Sequence, residues 1–320
     1  MAGVSPITVS RALSYPEKVR EETRQRILEA VAETGYVVNR FASSLRSGRS
    51  TIVTVFVSNL VNPHFATSIQ GIVEAFEGSG YHLMFAQIGY SEMVEVDVVS
   101  TALPFRPAGV IFTGVIRADA TRKEVSHLGI PIIEMWGHRD DPIDMLVGFS
   151  NAEGGRLMGR HFGERGFKRI AYCGHSTERG AERIDGFREG LAEQGAELAL
   201  VHPMEGTRRI TDGIEALDQI LDLMPDCDAI FFGTDLLATG AMLRADERGI
   251  AVPQQLALAG FGGLDFTAHV KPPLTTLNIE GYEMGLKAGR MMLDRLNDRP
   301  VAQPVFDYPI TLLQRDSTRR

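Results

Sequence analysis

The sequence predicts an α/β protein, two doubly wound parallel-sheet lobes preceded by a small, truncated all-α helix-turn-helix head. Three observations predict it. From Thr51 onward, short apolar runs alternate with helical patterns, as in parallel sheets buried on both faces. The runs number about nine or ten, more than one sheet comfortably holds, so two lobes around a shared crevice are expected. Ahead of them, Gly3-Val4-Ser5-Pro6-Ile7-Thr8-Val9-Ser10-Arg11-Ala12-Leu13 reads as the second half of a helix-turn-helix.

In that head, Gly3 supplies a tight turn, Ser5 an N-cap, and Pro6 a first helical residue whose missing N–H costs nothing. At about 100° per residue, Ile7, Ser10 and Arg11 share one side of the helix, and Thr8, Val9 and Ala12 the other. The first face suits a DNA major groove; the second packs inward. Only Met1 and Ala2 precede the turn, so the helix that normally braces such a recognition helix is missing. A second helix is expected from Pro16 to Thr34, with Ile27, Leu28 and Val31 at core spacing and Gly35 ending it. The basic stretch Val38–Ser50 follows, with Phe41 and Leu45 four residues apart. It reads as a linker around a helix too short to stand alone in water.

In the body, strands are expected at Ile52–Val57, His82–Ala86, Val110–Thr113, Pro131–Met135, Met145–Phe149, Ile170–Cys173, Leu198–Val201, Ala229–Phe232 and Leu256–Phe261. Helical patterns between them include Phe65–Glu77, Ala152–Arg165, Arg183–Gln194, Asp212–Leu223 and Leu236–Glu247.

Bulk properties narrow the function classes. Net charge is −8, which argues against a chain coated in nucleic acid along its whole length. The charge is uneven, however. Residues 1–50 carry eight Arg or Lys against five Glu, a net +3, leaving −11 for the remaining 270 residues. A basic tip on an acidic body suits contact with DNA at one end. Cys173 and Cys227 show no paired spacing, which implies a reducing, cytoplasmic setting with neither disulfide framework nor zinc site. No signal region opens the chain, and no apolar run reaches the roughly 18 residues a membrane span needs.

Ligands in doubly wound folds sit at the carboxyl ends of strands, so the loops there are the candidate site. In Ser58-Asn59-Leu60-Val61-Asn62-Pro63-His64-Phe65, turn and N-cap chemistry accounts for Asn62 and Pro63 but not for His64 and Phe65. Trp136, the only tryptophan, follows a strand, where it either roofs a pocket and stacks on a sugar or packs in the core. Arg183 falls in the first turn of a helix beside the cleft. Its forked donors grip a carboxylate or paired hydroxyls, or else form a surface ion pair. Asp235, after Gly233-Thr234, reads as a helix cap.

Catalytic patterns are missing: the eight histidines are scattered, and there is no His-Glu-x-x-His, no Gly-x-Ser-x-Gly and no phosphate-loop lysine. Gly260-Phe261-Gly262-Gly263 lacks the third glycine of a dinucleotide fingerprint. A binding protein without catalytic residues, metal or cofactor is expected, rather than an enzyme.

Three stretches together resemble the lactose-repressor (LacI) family of bacterial transcription regulators over essentially the full length. They are Gly3 to Leu13, Ala42-Ser43-Ser44-Leu45-Arg46-Ser47-Gly48, and Pro272-Pro273-Leu274-Thr275-Thr276-Leu277 after Gly260-Phe261. The run Pro142-Ile143-Asp144-Met145-Leu146-Val147-Gly148-Phe149-Ser150-Asn151 is similar to the gluconate-responsive branch. The resemblance implies a partial head over 1–37, a hinge helix and linker over 38–50, and an effector-binding and dimerisation body over 51–320 of periplasmic-binding-protein type. One lobe would comprise 51–149 plus 281–305, the other 150–280 plus 306–320. It further implies a homodimeric repressor of sugar-acid utilisation genes, reading a near-palindromic operator and controlled by a small sugar-acid effector such as gluconate. DNA contact falls on Ser5, Pro6, Ile7, Ser10, Arg11, Asn39, Ala42, Leu45 and Arg46, with Leu45 wedged into the minor groove. Effector contact falls on His64, Phe65, Trp136, Phe149, Arg183, Thr234 and Asp265. Three departures stand out. The helix before Ala2 is missing, which implies a start set too far downstream or a sugar-binding module with impaired DNA binding. Gly262-Gly263 replaces the acidic residue that usually holds ligand hydroxyls, leaving Asp265 to compensate. Arg20 stands where an N-cap serine is common.

Overall fold

The computed structural model describes residues 2–14, 16–36, 50–176, 178–205 and 209–319. The chain divides into two compact units, Met1–Thr51 and Ile52–Arg320. The expected hinge residues Asn39, Ala42, Leu45 and Arg46 lie outside the described residues.

In the first unit, α1 spans Pro6–Ser14 and α2 spans Glu21–Thr34. Gly3 turns at φ 63°, and the Ser5 hydroxyl accepts from the Thr8 N–H at 3.3 Å, so one orphan donor of the first turn is capped. The single helix expected from Pro16 is instead two elements, a 3₁₀ turn at Pro16–Lys18 and then α2. Arg20 breaks the continuity with extended backbone (φ −57°, ψ 139°) and caps α2 with no side-chain hydrogen bond. Gly35, left-handed at φ 63°, ends it. Ala12 and Ile27 are buried. Leu28, expected beside Ile27 in the core, is exposed, because one step along the helix turns it away from α1's side.

The second unit holds two sheets. The first runs in the order β11-β5-β4-β3-β1-β2, built from β1 (Ile52–Val57), β2 (His82–Gln87), β3 (Gly109–Phe112), β4 (Ile132–Met135), β5 (Met145–Gly148) and β11 (Val305–Asp307). All its pairings are parallel. The second runs β12-β10-β9-β8-β6-β7, from β6 (Ile170–Gly174), β7 (Leu198–Pro203), β8 (Ala229–Phe232), β9 (Ala257–Gly262), β10 (Thr275–Asn278) and β12 (Thr311–Leu313). Only β12 is antiparallel to its neighbour there. In each sheet the strand order reverses beside its first strand, β1 or β6. The loops after β1 and β3, and after β6 and β8, therefore flank the switch points where such folds bind ligands.

The helices are α3 (Pro63–Phe76), α4 (Glu92–Ala102), α5 (Asp119–Ser126), α6 (Asn151–Glu164), α7 (Arg179–Ala192), α8 (Ile210–Leu223), α9 (Asp235–Glu247) and α10 (Gly281–Leu296). The chain passes between sheets after β5, β10 and β11. Phe306 and Asp307, assigned by the sequence reading to the second lobe, pair with Val147 and Gly148 in the first, so that crossing comes two residues later. The sequence reading did not single out β10, β11, β12, α4, α5 or α10. One contiguous apolar core runs through both lobes and includes Val55, Trp136, Phe149, Phe187, Phe231 and Phe261.

Helices α6 and α7 approach through glycines. A Cβ on Gly155 would overlap the Arg183 carbonyl, and one on Gly186 would overlap that of Ala152. This close approach presses the Arg183 segment of α7 against the strand ends. Both cysteines are buried and form no disulfide, and burial pushes the Cys227 thiol up to about 12. Among the described residues, no helix is long and apolar enough to cross a membrane, and no group of His, Cys, Asp or Glu is set to hold a metal ion.

Candidate functional site

Between the two sheets, at those switch points, lies a cavity of about 110 Å³. Six of the seven effector residues drawn from the resemblance line it: His64, Phe65, Trp136, Phe149, Arg183 and Thr234. Asp265 does not. It is exposed, and its carboxylate accepts from the Phe266 N–H at 2.7 Å at the start of a 3₁₀ turn that carries it off the lining.

The aromatic wall is built by packing. Trp136 follows β4 with a left-handed φ of 60°, a strained conformation for a bulky residue. It is held there by its indole N–H, which donates to the Ser68 hydroxyl at 3.0 Å, and by edge contacts with Phe65 and Phe149 at 5.1 and 5.7 Å. Trp136 is at once core and pocket wall.

Arg183 sits in the second turn of α7, not the first, because α7 begins at Arg179. It is 9% exposed, which rules out the surface ion pair. One guanidinium nitrogen donates to the Gly233 carbonyl at 3.0 Å and the other to Asn151 Oδ1 at 2.6 Å; the plane rests 3.5 Å over the Phe261 ring. Burial draws its pKa down, opposed by the Tyr172 hydroxyl and more weakly by Glu182. All its close partners are neutral. A buried cation held by neutral groups is costly unless an anion joins it.

His64 is the first-turn residue of α3, whose N-cap Asn62 accepts the His64 N–H at 3.0 Å. Its imidazole crosses to the opposite lobe and lies where a side chain on Gly262 would be. Burial, then the charge of Arg183, lowers its pKa to about 4, with the Phe261 backbone offsetting part. It is therefore neutral at physiological pH. His64 Nε2, Asn151 Nδ2 and Arg183 Nε are buried with no hydrogen-bond partner, three polar atoms around one cavity.

Thr234, not Asp235, caps α9, accepting the Leu237 N–H at 3.3 Å. Asp235 is fully buried behind the cavity, where it accepts from Thr276 at 2.5 Å and from the Leu264 N–H at 2.8 Å. Burial raises its pKa to about 6 despite these bonds.

The sequence reading missed Tyr90, Asn151, His175, Glu178 and Arg179, all of which line the cavity. Arg179 was recoverable, since it lies one helical turn before Arg183 on the same face once α7 is started correctly. Several of these groups tie the lobes together. Arg179 donates to the Trp136 carbonyl at 3.3 Å, Tyr90 stacks near His175 at 5.3 Å, and Arg117 pairs with Glu178 at 3.6 Å.

In the head, Ile7 is 65% exposed and Arg11 is exposed beside it, while Ser10 is half-buried. Pro6 and Ser5 stand exposed at the N-terminus of the same helix.

Comparison with known proteins matches residues 1–39 to the profile of bacterial regulatory proteins of the lacI family, and residues 160–318 to that of the periplasmic binding protein-like domain. The HTH-type transcriptional regulator GntR of Pseudomonas aeruginosa is 32% identical, over 99% of this chain and 93% of that protein. A LacI family transcriptional regulator from Silicibacter pomeroyi superposes with a TM-score of 0.91 at 30% identity, covering 100% of this chain and 97% of that one. The transcription regulator GntR from Chromobacterium violaceum superposes with a TM-score of 0.79 at 32% identity, over 84% of this chain and 100% of that one.

Proposed function

The chain belongs to the lacI family of bacterial transcriptional regulators, and from that premise we propose a homodimeric repressor of sugar-acid utilisation genes whose operator affinity is set by a small sugar acid. Gluconate is the first effector to try, because GntR regulators are among its relatives at about 30% identity.

One observation carries the sugar-acid reading: Arg183 is buried against neutral partners in a cavity that also presents unpartnered polar atoms of His64 and Asn151. A carboxylate on Arg183 would neutralise the buried charge with charge-assisted hydrogen bonds, and hydroxyls would satisfy the other two. On the DNA side, the exposed Ile7 and Arg11 give α1 the apolar and cationic contacts of a groove-reading helix. Switching operator binding from 1:99 to 99:1 requires the effector to prefer one state about 10⁴-fold.

Trp136 is the only tryptophan and stands in the cavity wall, so its fluorescence reports the site directly. Gluconate is expected to change that emission saturably and to alter the gel shift of promoter fragments from the chain's own genomic neighbourhood. Arg183→Ala should weaken effector binding at least about 30-fold, the equivalent of roughly 2 kcal/mol. Unchanged titration in that variant, with unfolding still cooperative, would overturn the reading.

A further inference from the structure

We infer that the cavity is built for a ligand with two anionic groups, one on Arg183 and the second on Arg179 and the open end of α7. The inference rests on the sugar-acid reading and narrows it, from any sugar acid to a six-carbon chain bearing a second carboxylate or a phosphate.

The two guanidiniums leave the same face of α7 but meet different neighbours. Arg183 lies over Phe261 and reaches Gly233 and Asn151, whereas Arg179 faces the Phe65 ring at 5.7 Å and the Trp136 carbonyl. Both line the cavity, and among the described residues neither has a carboxylate within ion-pairing distance. The acids nearest in sequence do not supply one. Glu178 pairs with Arg117, and Glu182 is exposed and acts on the two arginines only at longer range. His64 and Tyr172, the titratable groups against Arg183, are both neutral.

Burial lowers both guanidinium pKa values; for Arg179, Tyr90 and Glu178 offset part of the shift, and the charges of Arg117 and Arg183 add to it. Like charges one turn apart on a helix repel, so this arrangement favours occupancy by negative charge. The helix end adds to it. Glu178, the N-cap of α7, makes no side-chain cap bond, and Gly180 in the first turn lines the cavity. Uncapped N–H groups at a helix start are suited to a carboxylate or phosphate. One anion on each guanidinium would leave the hydroxylated chain between them, against His64 and Asn151.

The test is a titration of the full chain, followed by Trp136 fluorescence and by calorimetry. The ligands are glucose, gluconate, the six-carbon aldarate with two carboxylates, and gluconate phosphorylated at its far end. At least one dianion should bind about tenfold or more tighter than gluconate, and Arg179→Gln should bring the ratio of the two affinities close to one. Arg179→Lys should restore part of the ratio. Which dianion wins identifies the second group as carboxylate or phosphate. Equal affinity for gluconate and both dianions in the unmodified chain overturns the inference but leaves the sugar-acid reading standing. A dianion preference that survives Arg179→Gln in a cooperatively folded protein also overturns it. Binding of glucose alone overturns both.

Discussion

At the scale of single residues, buried titratable groups set how the protein responds to acid. His161 is 4% exposed and bonded to the Thr318 hydroxyl at 2.8 Å; burial, then the charge of Arg165, lowers its pKa to about 4. The unfolded imidazole takes its proton near 6.5, so between pH 6.5 and 4 the unfolded chain binds a proton that the folded chain refuses. His161 and His64 therefore each withdraw stability as pH falls through that window. Asp235 opposes them, because its folded carboxyl holds a proton up to about pH 6 and so favours folding as pH falls from 6 toward 4. Stability curves at pH 7 and pH 4 should differ less in His161→Gln than in the parent, by roughly 3 kcal/mol at about 1.4 kcal/mol per unit. Parallel curves would show that His161 does not titrate this way. Single residues were unevenly legible in the sequence. Arg183 and Trp136 stood out because strand-end positions and rare residue types mark them. Asp235 looked like a cap because its true partner, Thr276, is 41 residues away in sequence. Asp265 looked like a ligand group because nothing local reveals that a 3₁₀ turn carries it outward.

At the scale of elements, what counts is how closely α6 and α7 approach. Gly155 lies under the Arg183 carbonyl with no room for a methyl group. Gly155→Ala must push the two helices apart, a kind of overpacking that costs about 1–3 kcal/mol. A lower denaturation midpoint and weaker effector binding should therefore appear together, since α7 carries both arginines. Lost stability with unaltered binding would mean that the seam does not position them. Strands buried on both faces were readable to within a residue or two, as were the body helices apart from α7, which begins four residues before the expected Arg183. The elements overlooked have physical reasons. β10 is Thr275-Thr276-Leu277-Asn278, polar by composition yet buried, and β11 and β12 are three residues each. In the head, Pro16 suggested a helix start, but the extended Arg20 interrupts the run and delays α2.

At the scale of the molecule, charge separates two roles. The first 50 residues carry +3 and the rest −11. If DNA contact is confined to the basic tip, operator affinity should fall steeply with salt although the whole protein is acidic. The logarithm of the binding constant should drop linearly with the logarithm of salt, by about 0.9 per phosphate contacted. Fluorescence anisotropy with labelled operator across a salt series measures that slope. A slope near zero would sink operator binding through this head. The two-lobed architecture was the most legible feature of the sequence, because it rests on the alternation of many elements and not on any one boundary. The ties that close the crevice were illegible, since they join residues far apart in the chain, such as Arg117 and Glu178.

The bare backbone at Gly262 reaches further than its size suggests. The imidazole of His64 fills the place a side chain would take there, so an uncharged ring stands where the family resemblance led us to expect an acid. A designer wanting a sensor for uncharged sugars has a concrete two-site exchange to make: shrink position 64 and plant a carboxylate at 262. That exchange would hand Arg183 an internal counter-ion and make an incoming acid redundant. On the sugar-acid reading proposed above, the bare backbone at 262 is what leaves Arg183 to an external acid.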